Sequence, residues 1–301
     1  MKNKLGAKLK VIYHKSNLKH TFWRPFIKQY FYSEKILNDV LTENHYQILG
    51  ESLDNENVIL NFSDGRSNKP FHLLTTKKIT DYHFVGDTIS LPIYCYTSQG
   101  QKLYNITDWV LKLFQGHYQS KQISKEGIFH YVYSVLHNPA YRQKYEQNLK
   151  REFPRIPLYA DFEFWAAQGK ALMELHLNYD SPLAPKGGIK LIRKDKNLPS
   201  RVGGLKAKLR ADKAQGIIVL DEATSLEVIP PIAWEYKLGN RSALEWILDQ
   251  YKEKKPSDPT IAEKFDTYCF ADYKEQVIDL LQRVCTVSVK TMEIIQAMEN
   301  K

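Results

Sequence analysis

The chain has few cysteines, and no stretch of it is apolar enough to cross a membrane. Its three cysteines, Cys95, Cys269 and Cys285, are widely spaced, and none belongs to a C-x-x-C pair. This pattern predicts neither a disulfide framework nor a zinc site, and it favours a reducing compartment. No run of about 18 apolar residues occurs, which argues against a transmembrane helix. The basic N-terminus, MKNKLGAKLK, lacks the apolar segment of a secretory signal, so we expect a cytoplasmic protein.

Sequence patterns that several classes of enzyme require are also missing. No G-x-x-x-x-G-K-[ST] occurs, so the sequence predicts no P-loop of an ATP-driven translocase. The glycine pairs Gly187-Gly188 and Gly203-Gly204 neither follow a strand nor open a helix, unlike a turn that holds S-adenosylmethionine. No nuclease pattern of Asp followed by Glu-x-Lys lies in a convincing strand context. We therefore expect no catalytic, cofactor or metal site in this chain.

What the chain does contain is positive charge, which is concentrated in one segment. The net charge is +9, and ten of the Lys and Arg residues lie between residues 186 and 213, against two Asp. Lys and Arg neutralise phosphates and release counterions, so such a segment favours contact with a nucleic-acid backbone. The alternative is a solvated charged loop. The predicted DNA-contacting residues here are Lys190, Arg193, Lys194, Arg201, Lys206, Lys208 and Arg210.

A second informative segment is Gly239 to Tyr251, GNRSALEWILDQY. The alternation of Trp234, Tyr236 and Leu238 predicts a strand, and Gly239-Asn240 ends it. Ser242 and Glu245 then form an S-x-x-E capping box at the start of an amphipathic helix. Arg241 lies at this corner. It is a candidate for guanine contact, and it is also a candidate for an ion pair with Glu235 or Glu245 inside the fold, which we favour.

Two other groups suggest chemistry at first sight. Asn138-Pro139-Ala140-Tyr141 is similar to the N-P-P-Y loop of amino-methyltransferases, which binds a flipped base. The second proline is absent, and the position between two predicted helices favours a helix cap with proline at its first position. The histidines His130, His137 and His176 suggest acid–base or metal pairs, but helix packing is the more common role of such histidines.

The predicted secondary structure divides the chain into three parts. Residues 1–104 contain short strands and loops, including Val58 to Phe62 and Thr88 to Tyr96. Residues 105–180 are helical, and residues 181–301 mix loops, a hairpin over 216–229 and two final helices, Asp272 to about Cys285 and about Thr291 to Met298. The sequence thus predicts an α+β fold.

Several blocks resemble the C-terminal part of the type ISP restriction–modification enzymes, which join nuclease, translocase, methyltransferase and target-recognition regions in one polypeptide. The resemblance is carried by Tyr131 to Arg142 (YVYSVLHNPAYR), Pro154 to Pro157 (PRIP), Gly239 to Tyr251 and the W-R-P-F segment at Trp23. It spans roughly Trp23 to Met298.

This resemblance implies a function that composition alone does not. Residues 1–104 would be a β-rich remnant of a methyltransferase region, 105–180 a helical spacer, and 181–301 a mixed α/β target recognition domain. The chain would recognise a specific sequence of double-stranded DNA. The S-adenosylmethionine site, and the ATP and magnesium sites of the complete system, would lie elsewhere, in methyltransferase, helicase and nuclease regions of the same or a separate polypeptide.

Two other functions remain open at this point. The chain is alternatively a free-standing or degenerate S-adenosylmethionine-dependent adenine DNA methyltransferase, which binding of S-adenosylmethionine would reveal. It is otherwise a structural module that docks on a separate methyltransferase chain without contacting DNA. The sequence does not name the DNA site.

The missing patterns predict that the purified chain neither methylates nor cuts DNA. Incubation with duplex DNA and labelled S-adenosylmethionine should transfer no methyl group, because the chain has no glycine turn for the cofactor and no intact N-P-P-Y. Methyl transfer that Asn138→Ala abolishes would contradict this prediction.

Overall fold

The computed structural model describes residues 12–38, 43–65, 67–182, 186–194, 205–254, 256–265, 268–299 and 301. The chain divides into two compact units, residues 1–177 with 298–301, and residues 178–297. Both contain helices and small antiparallel sheets, which confirms the predicted α+β class. The functional boundaries after residues 104 and 180 stay predictions.

The strands of the first unit form a hairpin, a three-stranded sheet and a second short hairpin. The first hairpin pairs β1 (Leu18–Arg24) with β2 (Ile27–Tyr32). In the sheet, β3 (Ile59–Ser63) lies between β4 (Leu73–Thr76) and β5 (Thr88–Pro92). The last pair is β6 (Tyr94–Tyr96) and β7 (Lys102–Tyr104). The predicted strands near residues 58–62 and 88–96 are thus confirmed, the latter divided between β5 and β6.

A buried asparagine joins the three strands of the sheet. Asn61 is fully buried in β3, where its amide nitrogen donates to the carbonyl oxygen of Leu74 and to the Thr76 hydroxyl. Its amide oxygen accepts from the hydroxyl groups of Ser90, at 2.7 Å, and Thr80, at 3.2 Å. A buried polar group is tolerated when its donors and acceptors are all paired, and here the pairs also fix the register.

The helices of the first unit include those that the sequence predicts within residues 105–180, and a short helix, Glu43–Leu49, in the part where only strands and loops were predicted. They are α1 (Glu43–Leu49), α2 (Asp108–His117), α3 (Lys125–His137), α4 (Pro139–Lys144), α5 (Glu146–Leu149) and α6 (Phe162–Leu177). Ser124 caps α3 through a hydrogen bond from the Gly127 amide. Asn138 caps α4 by accepting from the Ala140 amide, and Pro139 is at the first position, as predicted.

Helices α3 and α6 pack closely against each other, and α6 also packs on β4. The closest approach is at Gly169, where an added Cβ would lie 1.8 Å from the carbonyl oxygen of His130. Only a glycine allows the two backbones to approach so closely. The apolar residues Ile128, Val135 and Leu136, at positions i, i+7 and i+8, are buried along one side of α3.

The second unit contains a four-stranded antiparallel sheet, a short hairpin and three α-helices among its described residues. The strands of the sheet are β8 (Lys190–Arg193), β9 (Arg210–Asp212), β10 (Ile217–Val219) and β11 (Thr224–Glu227), in the order β8-β11-β10-β9. The hairpin pairs β12 (Lys237–Leu238) with β13 (Arg241–Ser242), and the helices are α7 (Ala243–Gln250), α8 (Pro259–Phe265) and α9 (Phe270–Glu299).

Two local predictions for the second unit also differ from the structure. Trp234 lies in a 3₁₀ helix, Pro231–Trp234, so the expected strand is limited to Lys237–Leu238. The two final helices form one continuous helix, α9. The β-branched segment that separates them in sequence, around residues 286–290, contains neither Gly nor Pro, and burial of Val284 and Val287 compensates for its low helix propensity.

The packing of α3 on α6 generates a stability prediction. Gly169→Ala should lower the free energy of unfolding by at least about 1–3 kcal/mol, because the methyl group displaces the backbone at His130. Gly116→Ala, also in a helix but with no atom within 4 Å of the added Cβ, should instead stabilise by about 0.5–1 kcal/mol. Chemical denaturation of both variants tests the pair. Equal effects would contradict the close approach.

Candidate nucleic-acid interface

The four-stranded sheet has one buried face and one accessible face. Leu226 of β11 and Ile218 of β10 are opposite each other and fully buried. The row beside them places Val219 opposite Ser225 and Arg210, and these side chains are half-buried or exposed. Because successive residues of a strand point to opposite faces, the accessible face carries the second row.

Three ion pairs join the start of α9 to the sheet and to the segment that precedes it. Lys274 pairs with Asp221 at 2.6 Å, and the Asp221 side chain is only 2% exposed. Arg193 pairs with Glu275 at 2.7 Å, and Lys186 pairs with Asp279 at 2.5 Å, both at more exposed positions. The turn between β10 and β11 is therefore held by a buried carboxylate, with two weaker contacts beside it.

Five of the predicted DNA-contacting residues are exposed on this sheet or on the segments next to it. In the described part of the chain, none of the five forms an ion pair. We call them the edge cations: Lys190, Lys194, Lys206, Lys208 and Arg210.

The edge cations lie along both outer strands of the sheet. Lys190 and Lys194 are in β8 or directly after it, and β8 is one edge of the sheet. Arg210 begins β9, the opposite edge, and the exposed Lys206 and Lys208 precede it. The backbone amide of Lys208 donates to the carbonyl oxygen of Leu220, and this bond joins the segment before β9 to the sheet. Positive charge without a carboxylate partner is available to an anion.

Two other predicted contact residues have a different status. Arg193 donates to both carboxylate oxygens of Glu275, at 2.8 and 2.7 Å, so an anion would compete with that carboxylate. Arg201 lies outside the described residues.

Arg241 is held at the corner before α7. Its guanidinium donates to Asp249 Oδ2 at 3.0 Å and lies 5.1 Å from the centroid of the Trp246 ring. The expected partners, Glu235 or Glu245, were wrong, because the acceptor is Asp249, two turns into the helix. A pair inside the fold is nevertheless what the structure contains.

Glu245 forms the capping box that the sequence predicts at the start of α7. Its carboxylate accepts from the Ser242 amide at 2.9 Å, and the Ser242 hydroxyl accepts from the Glu245 amide at 3.3 Å. Lys213 pairs with the same carboxylate at 2.7 Å. Partial burial raises the pKa of Glu245, but the donors from Lys213 and Ser242 outweigh it and hold the pKa below its usual range.

The residues that suggest methyltransferase or metal chemistry have structural partners. Tyr141 is buried, and its hydroxyl donates to the carbonyl oxygen of Arg155 at 3.0 Å, so its ring is not available to a flipped base. His137 and His176 are buried, and burial lowers the pKa of His176 to about 3. No group of three or more His, Cys, Asp or Glu residues in the described ranges could hold a metal ion.

The sequence did not reveal the residues that anchor the sheet. Asp221 lies in the turn of the hairpin that the sequence predicts over 216–229, and it is also the buried partner of Lys274, 53 positions later. No local pattern identifies such a pair, because the two residues meet only when the sheet is placed on α9.

Comparison with known proteins places the chain in a recognised class. The DrdV–DNA complex, determined by cryo-EM, matches 96% of this chain with a TM-score of 0.89 and 44% sequence identity. The type ISP restriction–modification enzyme LlaGI, solved with a DNA substrate mimic, matches 99% with a TM-score of 0.77 and 28% identity. LlaBIII, an ATP-dependent type ISP enzyme bound to DNA, matches 99% with a TM-score of 0.79 and 25% identity. A search of curated proteins found no match.

The fold and these likenesses define the class as a specificity domain of a restriction–modification enzyme. The chain belongs to the family described as the type ISP C-terminal specificity domain, whose model matches residues 1–280. The chain spans 29%, 26% and 19% of the lengths of the three similar chains. Within the described residues, no helix is long and apolar enough to cross a membrane.

The contacts of Arg241 predict a structural role. Because the side chain is 39% exposed and Asp249 25%, Arg241→Ala should lower the free energy of unfolding by only about 1 kcal/mol. The change should leave the preference for each base unaltered. Asp249→Asn in the same background should add little, which a double-mutant cycle measures. Unchanged stability with a loss of about 1–3 kcal/mol at one base position would instead assign Arg241 to base contact.

Proposed function

We propose that this chain recognises a specific sequence in double-stranded DNA, as the specificity region of a type ISP restriction–modification enzyme. The observation that carries the proposal is the set of exposed edge cations without carboxylate partners, in a chain that belongs to the specificity-domain family. The similar DrdV, LlaGI and LlaBIII structures all contain DNA or a mimic of it.

The edge cations would contact phosphates. Lys and Arg at the two edges of a small sheet neutralise backbone charges and set the orientation of the duplex, but they carry no sequence information. Each contact releases counterions, so affinity should fall steeply as salt rises. Arg193 joins this group only when a phosphate replaces Glu275, which is feasible because the ion pair is solvent-exposed.

Base contacts would come from loops whose sequence can change without loss of the fold. The turn between β10 and β11 fits this requirement, because Asp221 is buried in its own contacts while the next residue, Glu222, is exposed. A carboxylate accepts a hydrogen bond from the amino group of cytosine in the major groove. The basic segment over 186–213 is the other proposed source of base contacts.

The partners and cofactors follow from the same proposal. S-adenosylmethionine, ATP and magnesium would bind in methyltransferase and helicase regions, and a nuclease region would cut, in the same or a separate polypeptide. Asn138 caps a helix and the Tyr141 hydroxyl bonds to the Arg155 carbonyl oxygen, so neither side chain serves a methyltransferase site. These contacts favour this arrangement over a free-standing methyltransferase. We propose the cytoplasm as the compartment, in keeping with Cys95, Cys269 and Cys285, none of which forms a disulfide bond in the described residues.

The function itself is tested by selecting duplexes from a random pool with the purified chain. We expect enrichment of one sequence, with weaker binding to all others. Retention of the pool without enrichment would reduce the function to non-specific binding, and no retention at all would favour the docking module.

The phosphate contacts predict a change in salt dependence. Replacing Lys206, Lys208 and Arg210 together by Gln should weaken binding to all duplexes alike and reduce the salt slope by up to about 2.7. The matched control replaces three exposed lysines of the same unit, Lys237, Lys252 and Lys290, which form no ion pair among the described residues. Anisotropy titrations at several salt concentrations give both slopes. An equal effect of the two triple changes would mean that the edge cations form only a solvated surface.

A further inference from the structure

The β1–β2 hairpin presents aromatic rings that the proposed duplex interface does not use. His20 and Tyr30 are directly opposite each other, and their ring centroids are 4.2 Å apart. In the next row, Tyr32 stacks on Tyr13 with centroids 5.6 Å apart and an interplanar angle of 18°. Tyr30 is 61% exposed and Tyr13 is 67% exposed. We call Tyr13, His20, Tyr30 and Tyr32 the hairpin strip.

The hairpin that carries these rings is held firmly in the first unit. Phe22, Phe26 and Ile27 of the hairpin are buried. The backbone of Phe22 bonds to Ile79 at 3.0 Å and to Asp81 at 2.9 Å, which joins the hairpin to the following segment of the same unit. The Tyr32 hydroxyl accepts from the His14 amide at 2.8 Å and donates to the carbonyl oxygen of Ile12 at 3.2 Å. These bonds fix the half-buried Tyr32 ring on which Tyr13 stacks, and a ring with a fixed neighbour loses less conformational entropy when a ligand stacks on it.

The hairpin strip lies in a segment with a large excess of positive charge. Residues 12–38 contain five Lys and Arg residues and one Glu. Lys19 and Arg24 pair with Asp54 and Asp81, respectively. Lys15, close to Tyr13 in the chain, is exposed and forms no ion pair within the described ranges. An exposed aromatic surface that also attracts polyanions suits a nucleic acid better than an apolar protein surface.

The spacing of the rings suits bases that have left the helical stack. Tyr30 and Tyr32 are two residues apart on one strand, so their rows are separated by roughly 6.7 Å. Bases stacked in a duplex are only about 3.4 Å apart, and the duplex hides their faces. Unpaired bases expose both faces, and stacking on aromatic side chains binds them with little regard to sequence.

We propose that the hairpin strip is a second nucleic-acid site, which binds single-stranded DNA by stacking unpaired bases on Tyr30 and Tyr13. Lys15 and Lys28 supply positive charge for the phosphates beside these bases. This site goes beyond recognition of the intact duplex, because it takes a strand whose bases are unpaired. Its ligand class is sequence-tolerant single-stranded DNA.

The experiment measures binding of the full 301-residue chain to a fluorescent oligo-dT of about 12 nucleotides. Tyr13→Ala combined with Tyr30→Ala should weaken single-strand binding by roughly 30-fold or more, which corresponds to the loss of two stacking contacts. Tyr30→Phe keeps the ring and should bind like the unchanged chain. Binding to a duplex should be unaffected by all three changes.

Tyr82→Ala is the matched control, because Tyr82 is 50% exposed in the same unit but lies outside the hairpin strip. The Gln triple change at Lys206, Lys208 and Arg210 separates this inference from the proposed function, since it should weaken duplex binding and leave stacking on the hairpin intact. Failure of one site therefore does not imply failure of the other.

Two results would overturn the inference. The first is single-strand binding that Tyr82→Ala weakens as much as the hairpin changes do, or that none of these changes weakens. The second is self-association in sedimentation velocity that Tyr30→Ala abolishes while oligo-dT binding persists, which would make the hairpin strip a protein interface.

Discussion

The buried carboxylate of Asp221 is the contact on which the basic sheet depends. One oxygen accepts from the Ala223 amide at 2.8 Å and shapes the turn between β10 and β11, and the other pairs with Lys274 of α9 at 2.6 Å. An unpaired carboxylate at such a buried position would be costly, so turn and helix hold each other in place. Strands β8 and β9 pair with the outer sides of this hairpin. The contact at Asp221 therefore also fixes where the edge cations lie.

The basic residues of the second unit differ in whether their side chains pair with a carboxylate. Lys274, Lys213 and Arg241 have carboxylate partners, and each partner belongs to a turn or a helix that the fold needs. The side chains of the edge cations have no such carboxylate partners in the described residues. A side chain that stabilises nothing internally can meet a phosphate without any cost in broken contacts.

How much of this was readable from sequence depended on the range of the interaction. The Ser242–Glu245 capping box and the Asn138–Pro139 cap were predicted correctly, because each depends on residues no more than three positions apart. The resemblance to type ISP enzymes is confirmed by the family model. The Asp249 partner of Arg241 and the Lys274 partner of Asp221 were missed. Each pair depends on which turn of a helix faces the residue in the folded chain, and the sequence does not give this. The continuity of α9 was also missed, because packing outweighed the weak propensity of its middle.

The same division explains how a target could change while the fold persists. A substitution at Lys274 leaves the buried Asp221 carboxylate unpaired, and a substitution at Asp221 removes the acceptor that shapes the turn, so both positions are constrained by stability. Glu222 is next to Asp221 in sequence, but it is exposed, and its replacement removes no buried contact. Of these two adjacent residues in one turn, Asp221 is therefore constrained by folding and Glu222 is not. A specificity domain needs this separation, because each new DNA site demands new side chains on an unchanged backbone.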